Sequence, residues 1–321
     1  ENNKLIITVT NGAESKTYTV TIPMKDADGN PPATEPDAPD ARGVMDAVAA
    51  KYAAGGIAGD ANAPWLAADM AAYAKAFPDT ENKLSEAQKQ AYLNMLIPQV
   101  DAATKPGDLA KYIIALRAMG YDARDLTTAD GQKVDAVKKL TNLVDEQNKT
   151  VVDIYTLPYV LIALQQGNDY ATAEQIKYLK EKALEIKDKW QTLQWGSTDA
   201  APPMILALSP YYSESAVKTE IDKAVQFLKD NQDAVTGAIN YNGKASASST
   251  GIAAMALAAI GVDPAEVKAS SGKSLIDGLM TTVNEKGDGF DNAFGTEQGF
   301  RGLIAWQLAQ KSEDGVRIYD F

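Results

Sequence analysis

A small–large residue pair recurs six times along this chain, each time within an apolar segment that follows a polar or acidic residue. Successive pairs lie 43 to 49 residues apart, the spacing expected of two helices plus two connections. Repeated helix pairs bury their apolar faces on one another, so the repeat predicts a helical architecture before any chemistry is considered. The pairs are Ala72-Tyr73, Ala115-Leu116, Ala163-Leu164, Ala207-Leu208, Ala256-Leu257 and Ala305-Trp306.

Two kinds of segment alternate from Arg42 onward. One kind is amphipathic, with apolar residues on a single helical stripe. The other kind is apolar on nearly every side, as in Thr250–Ile260 and Leu157–Leu164, and must be covered all round. The stripes are Ile176, Leu179, Ala183 and Ile186 in one segment, Val217, Ile221, Ala224 and Leu228 in another, and Val134, Val137, Thr141 and Val144 in a third.

Six segments of each kind predict an all-α fold, an (α/α)6 toroid with six outer and six inner helices over residues 42–321. The alanine of each pair would let neighbouring inner helices approach closely. An open helical solenoid is the alternative arrangement of the same repeats.

A β-hairpin is predicted ahead of the helices, in residues 1–25. Residues 5–10 and 17–22 are rich in β-branched side chains, and Asn11-Gly12 lies between them. Two strands alone are marginal in water, so we expect a remnant of a truncated β-sandwich domain. The hairpin resembles the closing strands of cadherin-like or immunoglobulin-like repeats of bacterial surface proteins. Residues 26–41, rich in proline and aspartate, read as a linker, and further flanking domains are expected in the full-length protein.

Composition excludes several kinds of chemistry. The chain has no cysteine and no histidine, which rules out disulfides, thiolate nucleophiles, histidine bases and histidine-ligated metals. Neither a metal nor a cofactor is predicted. A net charge of −12 without a basic cluster argues against nucleic acid as a partner. No apolar run approaches the ~20 residues that span a bilayer, so a membrane-embedded segment is not expected.

The loops between the segments carry a family resemblance. Residues 227–232 (FLKDNQ) are followed by Gly237 and Tyr241, and then by Ser249-Thr250-Gly251 opening an apolar helix. This is similar to the helix–Gln–Gly–aromatic repeat of the terpenoid cyclase and protein prenyltransferase superfamily, with Tyr241 where Trp is usual. Looser copies run from residue 287 to residue 298 and around Gln194-Trp195-Gly196. The resemblance implies the toroid fold, with the glutamine bonded to a helix terminus and the aromatic sealing the outer seam.

The catalytic motifs of that superfamily do not carry over. The DxDD and DDxxD motifs are absent, and the prenyltransferase zinc site needs residue types that this chain lacks. An isoprenoid enzyme is therefore the least favoured reading. The chain looks most like the toroid domains of secreted bacterial surface proteins and the α-domains of cobalamin carriers, which implies an extracellular or cell-surface location.

Candidate ligand-binding residues collect where the inner helices begin, at the open mouth of such a ring. For Asp108, Asp153 and Asp199, capping of helix N–H groups is the structural alternative. Glu297 is expected to point inward if Thr296 caps its helix, and Arg301 lies four residues later as an ion-pair partner or an anchor for an anion or sugar. The set is Trp65, Asp69, Asp108, Tyr112, Asp153, Tyr155, Trp195, Asp199, Tyr241, Glu297 and Arg301.

Two functions fit these observations. The first is a non-catalytic module for ligand binding or adhesion, with a small molecule or glycan at the mouth and no catalytic residues. The alternative is a carboxylate-dependent glycosidase or lyase, with Trp65, Trp195 and Tyr241 as platforms for sugars. Two carboxylates facing each other about 5–10 Å apart would favour the enzyme. Acidic residues used for capping around a plugged cavity would favour the module.

Overall fold

The computed structural model describes residues 3–11, 14–22, 40–146, 153–167, 169–193, 198–312 and 314–321. It divides into two compact units, Glu1–Asp40 and Ala41–Phe321. The first unit contains strands β1 (Asn3–Asn11) and β2 (Glu14–Ile22), which pair antiparallel from Asn3 opposite Ile22 to Asn11 opposite Glu14. Gly12 of the predicted turn and nearly all of the predicted linker lie outside the described residues.

The second unit is mostly helical, as the sequence pattern predicts. Two short hairpins interrupt it, β3 (Leu126–Thr127) with β4 (Lys133–Val134) and β5 (Asn240–Tyr241) with β6 (Lys244–Ala245). The helices are α1 (Ala41–Gly55), α2 (Ala63–Ala76), α3 (Glu86–Ala102), α4 (Pro106–Ala118), α5 (Ala136–Glu146), α6 (Leu157–Leu164), α7 (Ala173–Glu185), α8 (Lys187–Trp190), α9 (Ala201–Leu208), α10 (Ser215–Asp230), α11 (Ala247–Ala259), α12 (Leu275–Met280) and α13 (Ala293–Ala309).

The six small–large pairs lie on α2, α4, α6, α9, α11 and α13, and the alanine of every pair is fully buried. Each of these helices packs against the next one in that order, and α13 packs against α2. The other helices cover them: α3 and α5 contact α4, α7 contacts α6, α10 contacts α9, α12 contacts α11, and α1 contacts both α2 and α13. The apolar helices therefore form the core of this unit.

The amphipathic stripes face that core. All four stripe residues of α10 are buried, as are Leu179 and Ala183 of α7. The third stripe was expected to be helical from Val134, and this is wrong, because Val134 lies on β4 and pairs with Leu126. The helix begins later because the Asp135 carboxylate accepts the backbone N–H of Lys138 at 2.7 Å, as a cap does.

Glycine, rather than the expected alanine, gives the closest helix approach. A Cβ atom on Gly251 of α11 would lie 2.2 Å from the carbonyl oxygen of Gln298 on α13. A Cβ atom on Gly302 would lie 2.5 Å from the Cα of Gly251. Neither position can hold a side chain without moving α11 away from α13.

The two loops that carry the family resemblance are each held by the same kind of hydrogen bond, from a backbone N–H to a threonine hydroxyl. The backbone N–H of Ile239 donates to Thr250 Oγ1 at 3.0 Å, and the N–H of Phe290 donates to Thr296 Oγ1 at 2.9 Å. Thr296 therefore holds the preceding loop and does not cap α13, contrary to expectation. Asn292 is the cap, and its Oδ1 accepts the N–H of Gly295 at 2.8 Å.

Gln232 bonds at the end of a short helix, as expected. Its side-chain amide donates to the carbonyl of Gly237 at 2.7 Å and to that of Val267, which caps the 3-10 helix Pro264–Glu266, at 3.1 Å. Tyr241 is 50% exposed.

Candidate functional site

A buried ion-pair cluster joins three of the predicted site residues. Arg301, from the middle of α13, is 1% exposed, and both Asp69 of α2 and Glu297 of α13 are completely buried. The Arg301 guanidinium donates from Nε to Asp69 Oδ1 at 2.9 Å and from Nη2 to Asp69 Oδ2 at 3.2 Å. Nη2 also contacts Glu297, four residues earlier on the same helix. One guanidinium thus serves two carboxylates inside the protein.

Aromatic rings enclose this cluster. Trp65, one turn before Asp69 on α2, lies 4.8 Å from the ring of Tyr159 and 5.9 Å from the ring of Tyr319, centroid to centroid. The Arg301 guanidinium lies 5.4 Å from the ring centres of Trp65 and Tyr319. A cation at that distance from two ring faces gains cation–π attraction in addition to its ion pairs.

Burial controls the acid–base properties of the cluster. Desolvation raises the pKa of Asp69 to about 6, although the nearby Arg301 charge and its hydrogen bonds act to lower it. Desolvation alone would lower the pKa of Arg301, but the attraction of Asp69 outweighs it and the pKa is raised, so Arg301 stays charged. Burial also raises the pKa of Tyr319 well above its ordinary value. The cluster holds a permanent cation and one carboxyl group that titrates near neutrality.

The starts of two helices bring the aromatic residues to one end of the cluster. Trp65 lies in the first turn of α2 and Tyr159 in the first turn of α6, and both are partly exposed. Tyr155 precedes α6 and is 52% exposed. Asp199, in a short 3-10 turn before α9, is close enough for its charge to contribute to the raised pKa of Tyr159, whose main cause is burial. The mouth cluster is defined as Trp65, Tyr159 and Asp199.

The other acidic candidates have local structural roles. Asp153 Oδ1 accepts the backbone N–H groups of Tyr155 and Thr156 at 2.9 and 2.8 Å, which is the capping role foreseen as its alternative. Asp108 lies in the first turn of α4 and pairs with Lys111 at 2.9 Å. Its position suits the positive end of the helix dipole, but Lys105 is the capping residue.

Two aromatic candidates, Tyr112 and Tyr241, lie apart from the ion-pair cluster, and a third lies outside the described residues. Tyr112, half-buried on α4, has the Lys111 ammonium 5.2 Å from its ring centre. Tyr241 lies on β5 and has no described contact with the ion-pair cluster. Trp195 lies outside the described residues.

Two aromatic residues that surround the ion-pair cluster, Tyr159 and Tyr319, were not predicted from the sequence. Tyr159 follows Tyr155 by four residues, so the two share a helical face, and this spacing could have pointed to it. Tyr319 follows the last helix and belongs to no periodic segment, so nothing local marks it.

Two cavities lie elsewhere on the helical unit. A cavity of about 210 Å³ is lined by small and apolar residues of α2 and α4 with Lys83 and Lys89. An open groove of about 510 Å³ lies near the ends of α9 and α11, beside Arg317. Within the described ranges no group of three or more acidic side chains is arranged to hold a metal ion, and none of the helices found there is long and apolar enough to span a bilayer.

Comparison with models of protein families, with curated protein sequences and with solved structures found no match to this chain. The likeness to the terpenoid cyclase superfamily therefore stays a prediction from the loop motifs.

Proposed function

We propose that this chain is a non-catalytic ligand-binding module of a secreted or cell-surface protein, built on an (α/α)6 toroid. The packing order of the six apolar helices supports the toroid, because each helix contacts the next and α13 contacts α2, as in an inner ring. The amphipathic helices that cover them correspond to an outer ring.

The observation that carries the proposal is that Asp69 and Glu297 are buried and paired with one arginine. A glycosidase needs two carboxyl groups placed on either side of a glycosidic bond. Here both carboxylates are completely buried and contact the same guanidinium, that of Arg301. The Asp69–Arg301 pair links α2 to α13, and Glu297 pairs with Arg301 within α13.

The mouth cluster supplies the ligand contacts. Partly exposed aromatic faces beside a small number of polar groups are typical of small-molecule sites. Trp65 and Tyr159 provide such faces, Asp199 provides acceptor oxygens, and the net charge of −12 disfavours anionic ligands. We therefore propose a neutral glycan as the ligand.

The glycosidase or lyase remains the second candidate because of one observation. The pKa of Asp69 is raised by burial to about 6, and a raised carboxyl pKa is a property of a general acid. For that role Asp69 would have to exchange Arg301 for a substrate oxygen.

A glycan array probed with the chain, followed by calorimetry on the bound glycans, tests the proposal. Tyr159→Ala is expected to weaken binding by about tenfold or more, since ~1.4 kcal/mol is a factor of ten. Tyr241→Ala is the matched control, because Tyr241 is also a partly exposed tyrosine but has no described contact with the mouth cluster. Equal losses from both variants, or no glycan bound, would refute a site at the mouth cluster. Release of shortened glycans by the native chain but not by Asp69→Asn would favour the enzyme.

A further inference from the structure

After α13 the chain crosses the ends of other core helices. The backbone N–H of Val316 donates to the carbonyl of Ala258, near the end of α11, at 2.9 Å. The Lys311 ammonium donates to the carbonyl of Ala76, the last residue of α2. The Arg317 guanidinium donates to the side chain of Gln165, which follows α6, at 2.6 Å. This segment, residues 310–321 with residue 313 undescribed, is called the tail.

The tail places one aromatic ring inside the helical unit. Tyr319 is completely buried, with its ring 5.9 Å from that of Trp65 and 5.4 Å from the Arg301 guanidinium. It therefore contacts both the ion-pair cluster and a mouth residue of α2. Trp65 contacts both Tyr159 and Tyr319, so it links the mouth to the tail.

Tyr319 is an imperfect core residue. Its hydroxyl is buried and has no hydrogen-bond partner among the described residues. A phenylalanine would fill the same space without leaving a buried donor unsatisfied, which costs free energy. Beyond its contact with Arg301, the Glu297 carboxylate likewise accepts no hydrogen bond in the described part of the chain. The interior thus holds a ring whose hydroxyl has no described partner, beside a carboxylate whose one described partner is Arg301.

The tail can leave without unfolding a helix. Of its described residues, Ile318 and Tyr319 are buried, whereas Lys311, Ser312, Asp314 and Gly315 are exposed. Its described attachments to the helices are single hydrogen bonds, such as that from Val316 to Ala258 at 2.9 Å and that from Arg117 to the carbonyl of Phe321 at 3.1 Å. None of these bonds lies within a helix, so they can break while every helix keeps its own hydrogen bonds.

We infer that Tyr319 is a built-in occupant of a ligand site, and that the site takes a hydroxylated six-membered ring, a pyranose unit, when the tail moves out. This inference rests on the proposed function, because it names the ligand chemistry of the same site. Trp65 offers a face for the ring, Arg301 offers donors to its oxygens, and Glu297 offers acceptors to its hydroxyl groups. The tail then competes with the sugar.

Saturation-transfer NMR with methyl β-D-glucopyranoside, methyl β-D-galactopyranoside and methyl α-D-mannopyranoside tests the competition. Tyr319→Ala is expected to bind at least one of these at least tenfold more tightly than the native chain. Tyr170→Ala is the matched control, because Tyr170 is also buried with an unpartnered hydroxyl but lies outside the cluster. Tyr319→Phe keeps the ring in place, so it is expected to bind no better than the native chain.

Arg317→Gln provides a second route, because it loosens the tail and leaves every residue of the cluster unchanged. It is expected to strengthen pyranoside binding, and it decides the question if Tyr319→Ala does not fold. The inference is overturned if the folded variants bind no pyranoside, or none more tightly than Tyr170→Ala. If the native chain still binds glycans through Tyr159 in that case, the proposed function survives alone. If Tyr319→Ala gains a pyranoside while the array stays blank, the tail-occupied site survives and the proposed function fails.

Discussion

Arg301 is the residue on which the interior depends. It is a buried cation that contacts Asp69 and Glu297 at once, beside the rings of Trp65 and Tyr319. A buried charge is tolerated only when its partners compensate for lost hydration. Removing the cation leaves two buried carboxylates without a counter-charge.

Arg301→Met should therefore lower the free energy of unfolding by about 3–5 kcal/mol. Urea denaturation followed by circular dichroism measures this change. Arg124→Met is the control, because Arg124 pairs with Asp122 and Asp169 at the surface, where the loss of an ion pair changes stability little. Similar losses in both variants would mean that the buried cluster contributes no more than a surface pair.

The pH dependence of the free energy of unfolding should show the raised pKa of Asp69. Burial raises the pKa of its carboxyl group in the folded state from 3.8 to about 6. Between these values the folded chain holds more protons than the unfolded chain, so the contribution of Asp69 to stability falls as pH rises. The free energy of unfolding of the native chain minus that of Asp69→Asn should be larger at pH 4 than at pH 7.

Asp122→Asn is the comparison variant, because the contribution of Asp122 to stability should change with pH in the opposite direction. Hydrogen bonds from Arg124 lower the pKa of Asp122, so its contribution should be lost as pH falls. If the Asp69 difference instead grew with pH, attraction by Arg301 would outweigh burial at Asp69.

At the scale of helices, the contact between α11 and α13 is set by two glycines. Gly251→Ala would bring a methyl group against the carbonyl of Gln298 and is expected to destabilise the chain by about 1–3 kcal/mol, as overpacking does. Gly55→Ala, at the end of α1, meets no atom within 4 Å and should be neutral or slightly stabilising. Thermal unfolding of the two variants checks the difference, and equal melting temperatures would show that α13 shifts without cost.

Helix identity was predictable from the sequence, and helix ends were less so. The apolar segments around Leu157 and Thr250 became α6 and α11 because their composition leaves no polar face. The start of α13 was misplaced because Thr296 and Asn292 are both good caps, and only the loop that ends at Phe290 decides which one is used.

At the scale of the whole molecule, the buried apolar residues of α1 to α13 belong to one continuous core. A chain of residues 40–321 should therefore unfold in one cooperative transition. Differential scanning calorimetry of that chain measures this. Two separate transitions would show that parts of the helical unit unfold independently.

The sequence by itself determined the repeat, the helical content and the absence of cysteine and histidine. The absence follows from composition, the helices follow from apolar residues three to seven positions apart, and the repeat follows from the recurrence of those segments along the chain. Only the tertiary structure decided the site. Arg301 meets Asp69 across 232 residues, and Tyr319 reaches Trp65 from beyond the last helix. Such partners are chosen by which helices pack together, and no local pattern encodes that choice.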